Sequence, residues 1–392
     1  MSATRIFDLE QPPPEPPQYW LARLIGVVLG LGVVAIAILA DQNELPDWHW
    51  LAFNGLLLIP ALYVAVALHE LGHLVAGTLV GLDTGGISVG GFMLMKSGKN
   101  WVFRFDRRRW IGGFFKPLAG TAGLHRSRYS WMVAGGPLAS IVLCLLCALI
   151  FAQYGNGLWD WIGSLYWTAL FILVISAIPF SGGLNKSDGA RLWQFIWYPE
   201  RARSWMALVA LQTEEAKGLL PRQWNAQLFD RILTVDASAG EYLYCQLMAF
   251  CRRLDQGSEA DALEHLENAL ASSARAGKVM RHALFLEAAS ASANIRKRAA
   301  QARIWLERSR KLRKPEWLDA VEASIAMCEG RYEVAAKHWE AAQALCVRRK
   351  LDSGLIRCAK EKWAEYEEVC KARTDETGIV NAPAGIPPET NG

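Results

Sequence analysis

The sequence predicts a mainly α protein in two halves. The first is a polytopic membrane helix bundle with a small β-hairpin insertion, and the second is a soluble α-helical repeat-like domain. Three observations carry that expectation. Hydropathy is unevenly spread: 52% of the 392 residues are hydrophobic and 20% are charged, yet the long apolar runs stop near Trp197. Tryptophans bracket those runs, at Trp20, Trp48, Trp50, Trp131, Trp159 and Trp161, as amphipathic rings do at the headgroup level of a bilayer. Beyond residue 200 the apolar positions recur at helical spacing among alanines and charged residues.

In chain order, residues 1–19 form a Pro-rich segment containing "QPPPEPPQ". Four runs then satisfy the requirement of about 20 mostly apolar residues for crossing a hydrocarbon core: 20–40, 50–82, 131–154 and 159–179. The first differs from a cleaved signal peptide, because a polar segment precedes it and its flank is hardly basic. The loops set the orientation. Residues 41–47 and 153–163 hold no Lys or Arg, whereas the loop 83–130 holds Lys96, Lys99, Arg104, Arg107, Arg108, Arg109, Lys116, Arg126 and Arg128. Positive charge stays inside, so this loop and both termini are expected in the cytosol, with the chain an integral multi-pass protein of a bacterial cytoplasmic (inner) membrane. Arg107 to Arg109 read as a juxtamembrane cluster facing anionic lipid. A net charge of only +4, with no basic stripe interleaved with aromatics, excludes a nucleic-acid partner. Within the loop, 87–95 and 101–105 read as two strands joined by a turn at 97–100. Cys144 and Cys147, in "SIVLCLLCALIF", are small apolar helix residues, and the irregular spacing of the other six cysteines suits a reducing compartment.

The second run contains His69-Glu70-Leu71-Gly72-His73. Positions i and i+4 share one helix face, so two imidazoles in H-E-x-x-H can converge on one Zn2+, with Glu70 beside the ion as proton acceptor and then donor to the leaving amine. Ionisable groups inside a membrane helix are costly and mark function; a polar interhelix contact is the bland alternative. A catalytic zinc takes three protein ligands. His49 lies at the outer edge of the second run, and His125 in the basic loop is unconstrained. His265, His282 and His338 read as surface or interhelix residues of the second half. Asp188, in "SAIPFSGGLNKSDGARL", follows the fourth run and returns to the cytosolic side. Spacing alone leaves it between a metal ligand and the N-cap of a helix over 189–197.

Together, "HELGH" (69–73), "VAGGPLAS" (133–140) and "ISAIPFSGGLNKSDGARL" (175–192) resemble the site-2 protease family of intramembrane zinc metalloproteases (M50-like) over roughly residues 50–200. The resemblance implies Zn2+ held by His69, His73 and Asp188, Glu70 as the catalytic acid/base, and a membrane-protein substrate cut in or near the lipid bilayer. It also implies a sheet near the site that pairs with an unwound substrate; an ordinary surface hairpin is the alternative. Ser140 and Ser176 depart from the family, which often has Asn there. The interval from Pro179 to Asp188 is long, and the loop 83–130 is too short to hold a PDZ domain.

Residues 201–374 read as successive helices. "SEADALEHLENALASSARAG" (258–277) and "GRYEVAAKHWEAAQALCVRRK" (330–350) are alike, each following a helix and a short Gly-containing turn, and "AAQARIWLERSRKL" (299–312) is a third copy. This resembles tetratricopeptide-like helix pairs stacked as a solenoid, which implies a face for a cytosolic protein partner; an irregular helical domain that only stabilises or tethers the first half is the alternative. Residues 375–392 are expected to form a disordered tail. The function expected from the whole is an intramembrane zinc metalloendopeptidase. A non-proteolytic membrane scaffold and a membrane-anchored peptidase for soluble peptides are the alternatives.

Overall fold

A computed structural model of the chain describes residues 6–15, 48–107, 110, 112–120, 123–154, 159–182, 185–312 and 317–380. The expected first run at 20–40 and residues 381–392 lie outside the described residues.

Among the described residues the apolar half holds three helices: α1 (Trp48–Leu79), α2 (Arg126–Tyr154) and α3 (Trp159–Ala177). Two of them, over Gly55–Leu79 and Arg126–Gln153, are long and apolar enough to cross a membrane, while Trp161–Ala177 is shorter. The expected fourth run, 159–179, is helical as far as Ala177. The helix stops at Ala177 because Ile178 precedes Pro179, and a residue before proline is pushed out of the α region. Small residues let α1 and α2 approach closely. A Cβ on Gly72 would lie 2.3 Å from Gly135 O, and one on Gly135 would lie 2.4 Å from Gly72 O. Ala61 and Ala65 of α1, Leu143 and Cys147 of α2, and Leu165 and Ala169 of α3 form the buried centre. Leu56, Ile59, Leu79, Leu145 and Leu149 stay more than half exposed on the outside. An apolar belt of that extent marks a surface made for a partner or a membrane.

Between α1 and α2 lies a four-stranded antiparallel sheet in the order β3-β2-β1-β4: β1 (Asp83–Val89), β2 (Phe92–Ser97), β3 (Asn100–Phe105) and β4 (Gly113–Leu118). The strand expected at 87–95 is two strands. Gly90, at φ +56, turns the chain so that Val89 pairs with Phe92, and only glycine enters that region at no steric cost. The expected turn at 97–100 does close β2 on β3, with Ser97 opposite Asn100. β4 was not anticipated, because Pro117 and Gly113 argue against a strand; Pro is tolerated here because β4 is an edge. Phe115 packs against the cluster of Leu82, Tyr129, Met132 and Val133, which fixes the sheet on the ends of α1 and α2.

After two short paired segments, Ser181–Gly182 and Asn185–Lys186, come α4 (Asp188–Trp197), α5 (Pro199–Ala216) and α6 (Ala226–Leu233). Helical hairpins follow: α7 (Tyr242–Asp255) with α8 (Glu259–Ala271), α9 (Lys278–Asn294) with α10 (Ala299–Leu312), and α11 (Leu318–Cys328) with α12 (Tyr332–Arg348). The three similar sequence segments fall on the second helix of each hairpin. The last helix, α13 (Gly354–Val380), runs past the expected start of a disordered tail at residue 375. The two halves touch through the sheet: Ala119 N donates to Thr213 Oγ1 at 2.7 Å, and Asp352 N donates to Ser97 Oγ at 3.0 Å.

Candidate active site

The chain brings three of the expected site residues together from two elements. His69 and His73 lie one turn apart on α1, and Asp188 opens α4. His69 Nε2 is 3.1 Å from Asp188 Oδ2, and His73 Nε2 is 3.4 Å from Asp188 Oδ1. The imidazoles stand edge to face with centroids 4.9 Å apart. Both histidines and Glu70 are only 6% exposed. His125 is exposed in the loop before α2 and is not in the cluster; the side chain of His49 lies outside the described ones.

The outer ring nitrogens decide what the inner ones can do. His73 Nδ1 is 2.9 Å from Met132 O, a group that only accepts, and 3.3 Å from Gly136 N; the shorter contact assigns the proton to Nδ1, so that Nε2 presents a lone pair. His69 Nδ1 is 2.9 Å from Ser140 Oγ, which can play the same role. Two lone pairs and a carboxylate then face one another in a buried place. A cation between them resolves that conflict, and the outer hydrogen bonds are those that metal-ligating histidines make. Zinc bonds of about 2.0–2.1 Å in a tetrahedral arrangement set ligand atoms about 3.3 Å apart, close to the 3.1 and 3.4 Å found here. Space for the ion is kept by Gly136 of α2, where a Cβ would lie 2.3 Å from His73 Nε2 and 2.6 Å from His69 Nε2. The residues present therefore fit zinc.

Asp188 is free for this role because it is not the helix cap. That position belongs to Ser187, whose Oγ accepts from Ala190 N and Phe180 N, both at 3.1 Å, and donates to Ile178 O at 2.6 Å. The next residue, Gly189, sits against the end of α3, where a Cβ would lie 1.8 Å from Ala177 O. Cap and glycine together hold Asp188 under the imidazoles.

Glu70 lies outside the cluster, next on the helix, and faces the start of β4. A Cβ on Gly113 would lie 2.6 Å from Glu70 Cγ and 2.8 Å from Glu70 Oε1. Sequence reasoning missed this neighbour. Its signal was a glycine ahead of an aromatic run, which marks close backbone approach in a strand. Of the two serines singled out in the sequence, Ser140 meets His69, while Ser176 Oγ donates to Leu173 O of its own helix at 3.2 Å.

A charged network missed by sequence reasoning anchors α4 to the helical half. Glu241, just before α7, takes Arg191 NH1 at 2.6 Å and Lys186 Nζ at 3.1 Å, and Gln194 Oε1 accepts from both. The Arg191 guanidinium lies over the Trp205 ring, 4.4 Å from its centroid. Burial pushes the Glu241 carboxyl up, but Arg191 and Lys186 outweigh it and hold the group below the ordinary carboxylate range.

No curated protein and no solved structure matches the chain. A model of the family described as peptidase family M50, the site-2 protease family of zinc metalloproteases, typically membrane-associated, matches residues 57–363. That stretch takes in most of α1, the sheet, Asp188 and most of the helical half, well over half of the sequence, and so the chain belongs to peptidase family M50.

Proposed function

We propose that the chain is an intramembrane zinc endopeptidase of the site-2 type, which cuts membrane-protein substrates in or near the bilayer. In this reading His69, His73 and Asp188 hold Zn2+, and Glu70 is the general acid/base. The observation that carries it is the convergence of two Nε2 atoms on one carboxylate while both outer nitrogens are already engaged. When bound, zinc supplies Lewis acidity, polarising a carbonyl and lowering the pKa of water toward about 7. The remaining work falls to the chain. Ser140 Oγ and the Met132 carbonyl keep each imidazole in one orientation. Glu70 takes the proton of the attacking water at its carboxylate and delivers it to the leaving nitrogen.

A substrate helix hides its amides in internal hydrogen bonds, so it must be extended before its carbonyls can be attacked. The outer edge of β4 supports that step. Gly90 N donates to Gly112 O at 2.7 Å, and antiparallel pairs alternate in their bonding. The backbone groups of Gly113 and Phe115 therefore face away from β1, toward a strand that the substrate can add. Gly113 is also the residue packed on Glu70, so the added strand would run beside the acid/base.

In the same reading α1 and α2 span the bilayer, α3 and residues 20–40 add further spans, and the basic loop faces the cytosol with both termini. The membrane is the bacterial cytoplasmic one. The helical half is tetratricopeptide-like and binds or regulates through a cytosolic protein partner. A complete ligand set together with Glu70 favours an enzyme over a scaffold, and burial in an apolar bundle favours membrane substrates over soluble peptides.

The test replaces Glu70 by Gln and reads cleavage of co-expressed membrane proteins. A loss of about 100- to 10,000-fold is expected, the usual contribution of general acid–base catalysis; an unchanged cleavage pattern would sink the protease reading. Asp188→Ala should leave the purified protein with little zinc, and unaltered zinc stoichiometry would remove Asp188 from the site.

A further inference from the structure

Residues 6–15 lie against the helical half. Ile6 to Leu9 form one turn, closed by Leu9 N donating to Ile6 O at 3.1 Å, with Leu9 in the left-handed region at φ 65. The Phe7 side chain is fully buried, in one cluster with Leu266 and Leu270 of α8, Leu284 of α9 and Trp305 of α10.

The backbone of this turn is read by side chains of the helices. Ile6 N and Phe7 N both donate to the Glu267 carboxylate of α8, at 2.8 and 2.6 Å. Phe7 O accepts from Gln301 Nε2 at 2.7 Å and from Trp305 Nε1 at 3.0 Å, both on α10. The Asp8 carboxylate faces Arg296 and Arg298, in the connection between α9 and α10, at 3.5 and 3.6 Å. Buried polar groups need partners. Here the amide nitrogen of a buried glutamine, the ring nitrogen of a buried tryptophan and a carboxylate find theirs in a peptide 260 to 298 residues distant, joined to them only through the whole apolar half. The Trp305 ring also packs on Phe285 within the stack, 5.3 Å between centroids, but its Nε1, the Gln301 amide nitrogen and the Glu267 carboxylate have the turn's backbone as their partner. They make a socket for one aromatic ring, a clamp for two successive amides and one carbonyl, and a cationic pair for the acid that follows.

We propose that the face between α8 and α10 is a peptide-binding site for a turn of the form apolar–Phe–Asp, occupied in this structure by the chain's own residues 6–8. A partner protein presenting the same turn displaces that segment. The inference deepens the partner role proposed for the helical half and rests on that role, not on the peptidase chemistry; a binding measurement fails independently of any cleavage assay.

The experiment uses the full chain in detergent and a fluorescent peptide of residues 4–10, TRIFDLE, read by anisotropy. With Phe7→Ala the internal competitor is weakened, and the chain should bind the peptide. Wild type should bind it about ten-fold more weakly or worse, because a tethered competitor acts at high effective concentration. Adding Glu267→Gln to Phe7→Ala should cost about ten-fold, the scale of hydrogen bonds to a charged group, and a peptide carrying Ala in place of its Phe should not bind. Equal binding by Phe7→Ala and its Glu267→Gln derivative overturns the proposal, as does absence of binding by a Phe7→Ala chain that melts like wild type. If Phe7→Ala unfolds the helical half, Asp8→Ala carries the test, since it removes the ion pairs with Arg296 and Arg298 and leaves the Phe7 ring in its socket. It must bind the peptide more tightly than wild type, and equal binding overturns the proposal.

Discussion

The two halves of the molecule each hold buried or half-buried histidines, and they use them in opposite ways. In the helical half every imidazole has a private partner on a neighbouring helix: His265 with Gln246 at 2.7 Å, His282 with Ser309 Oγ at 2.6 Å, and His338 with Asp319 at 3.0 Å. In the apolar half the partners of His69 and His73 occupy only the outer nitrogens, and the inner ones share a single carboxylate. A histidine that packs satisfies itself pairwise. His69 and His73, the proposed zinc ligands, are satisfied on one side and converge on the other. Burial does not separate these cases, since His282 and His73 are both 6% exposed.

The contrast is broken most severely by adding one methyl group. Gly136→Ala would place a carbon within 2.6 Å of both inner nitrogens, forcing the imidazoles apart. A displacement of about 1 Å at a reacting centre costs about 100-fold, so loss of that order in peptidase activity is expected, together with loss of zinc from the purified protein. Full zinc occupancy in the variant would show that α2 does not shape the ion's space.

The next largest effect acts from the other half. Glu241→Ala leaves Arg191 and Lys186 buried without their counter-charge, and breaking such a buried group typically costs about 3–5 kcal/mol. The melting temperature in detergent should fall accordingly. Because Arg191 and Lys186 keep the Glu241 pKa below its ordinary 4.5, its stabilisation is complete above that value. It is lost as the pH falls through the lowered folded value. Glu241→Gln should flatten that acid limb of the stability profile; an unchanged limb would assign it to other carboxylates.

These elements differ in how far the sequence revealed them. His69, Glu70 and His73 were legible because i,i+4 geometry is local, and the helical hairpins because a 3.6-residue period with Gly turns is local too. Asp188 was ambiguous on spacing because a serine beside it competes for the same cap, and the competition is settled only by where Ile178 and Phe180 present their backbone groups. The fourth strand was hidden: Gly113 and Pro117 speak against a strand until a neighbour makes β4 an edge. Gly136 could be read only as part of a motif, since its reason lies on another helix. The Glu241 network and the docking of Phe7 depend on contacts across 50 and 260 residues, and no periodicity reports those.

The finest test of the comparison lies in two serines that the sequence treats alike. Ser140 and Ser176 both stand where the resemblance leads one to expect Asn, and neither could be assigned a role from the sequence. Ser140 Oγ lies 2.9 Å from His69 Nδ1, whereas Ser176 Oγ is spent on Leu173 O in its own helix. Outer partners of metal ligands typically carry about 10- to 100-fold in metal affinity. Ser140→Ala should therefore weaken zinc retention by that factor in competition with a chelator, with helix packing little altered. Ser176→Ala removes a bond that the helix backbone does not need, and its zinc affinity should stay within about two-fold, inside the scatter of a substitution that touches no named interaction. If the two variants lost zinc equally, the outer shell would not be what holds the imidazoles, and convergence of the inner nitrogens would have to be attributed to the approach of α1 and α2 at Gly72 and Gly135 alone.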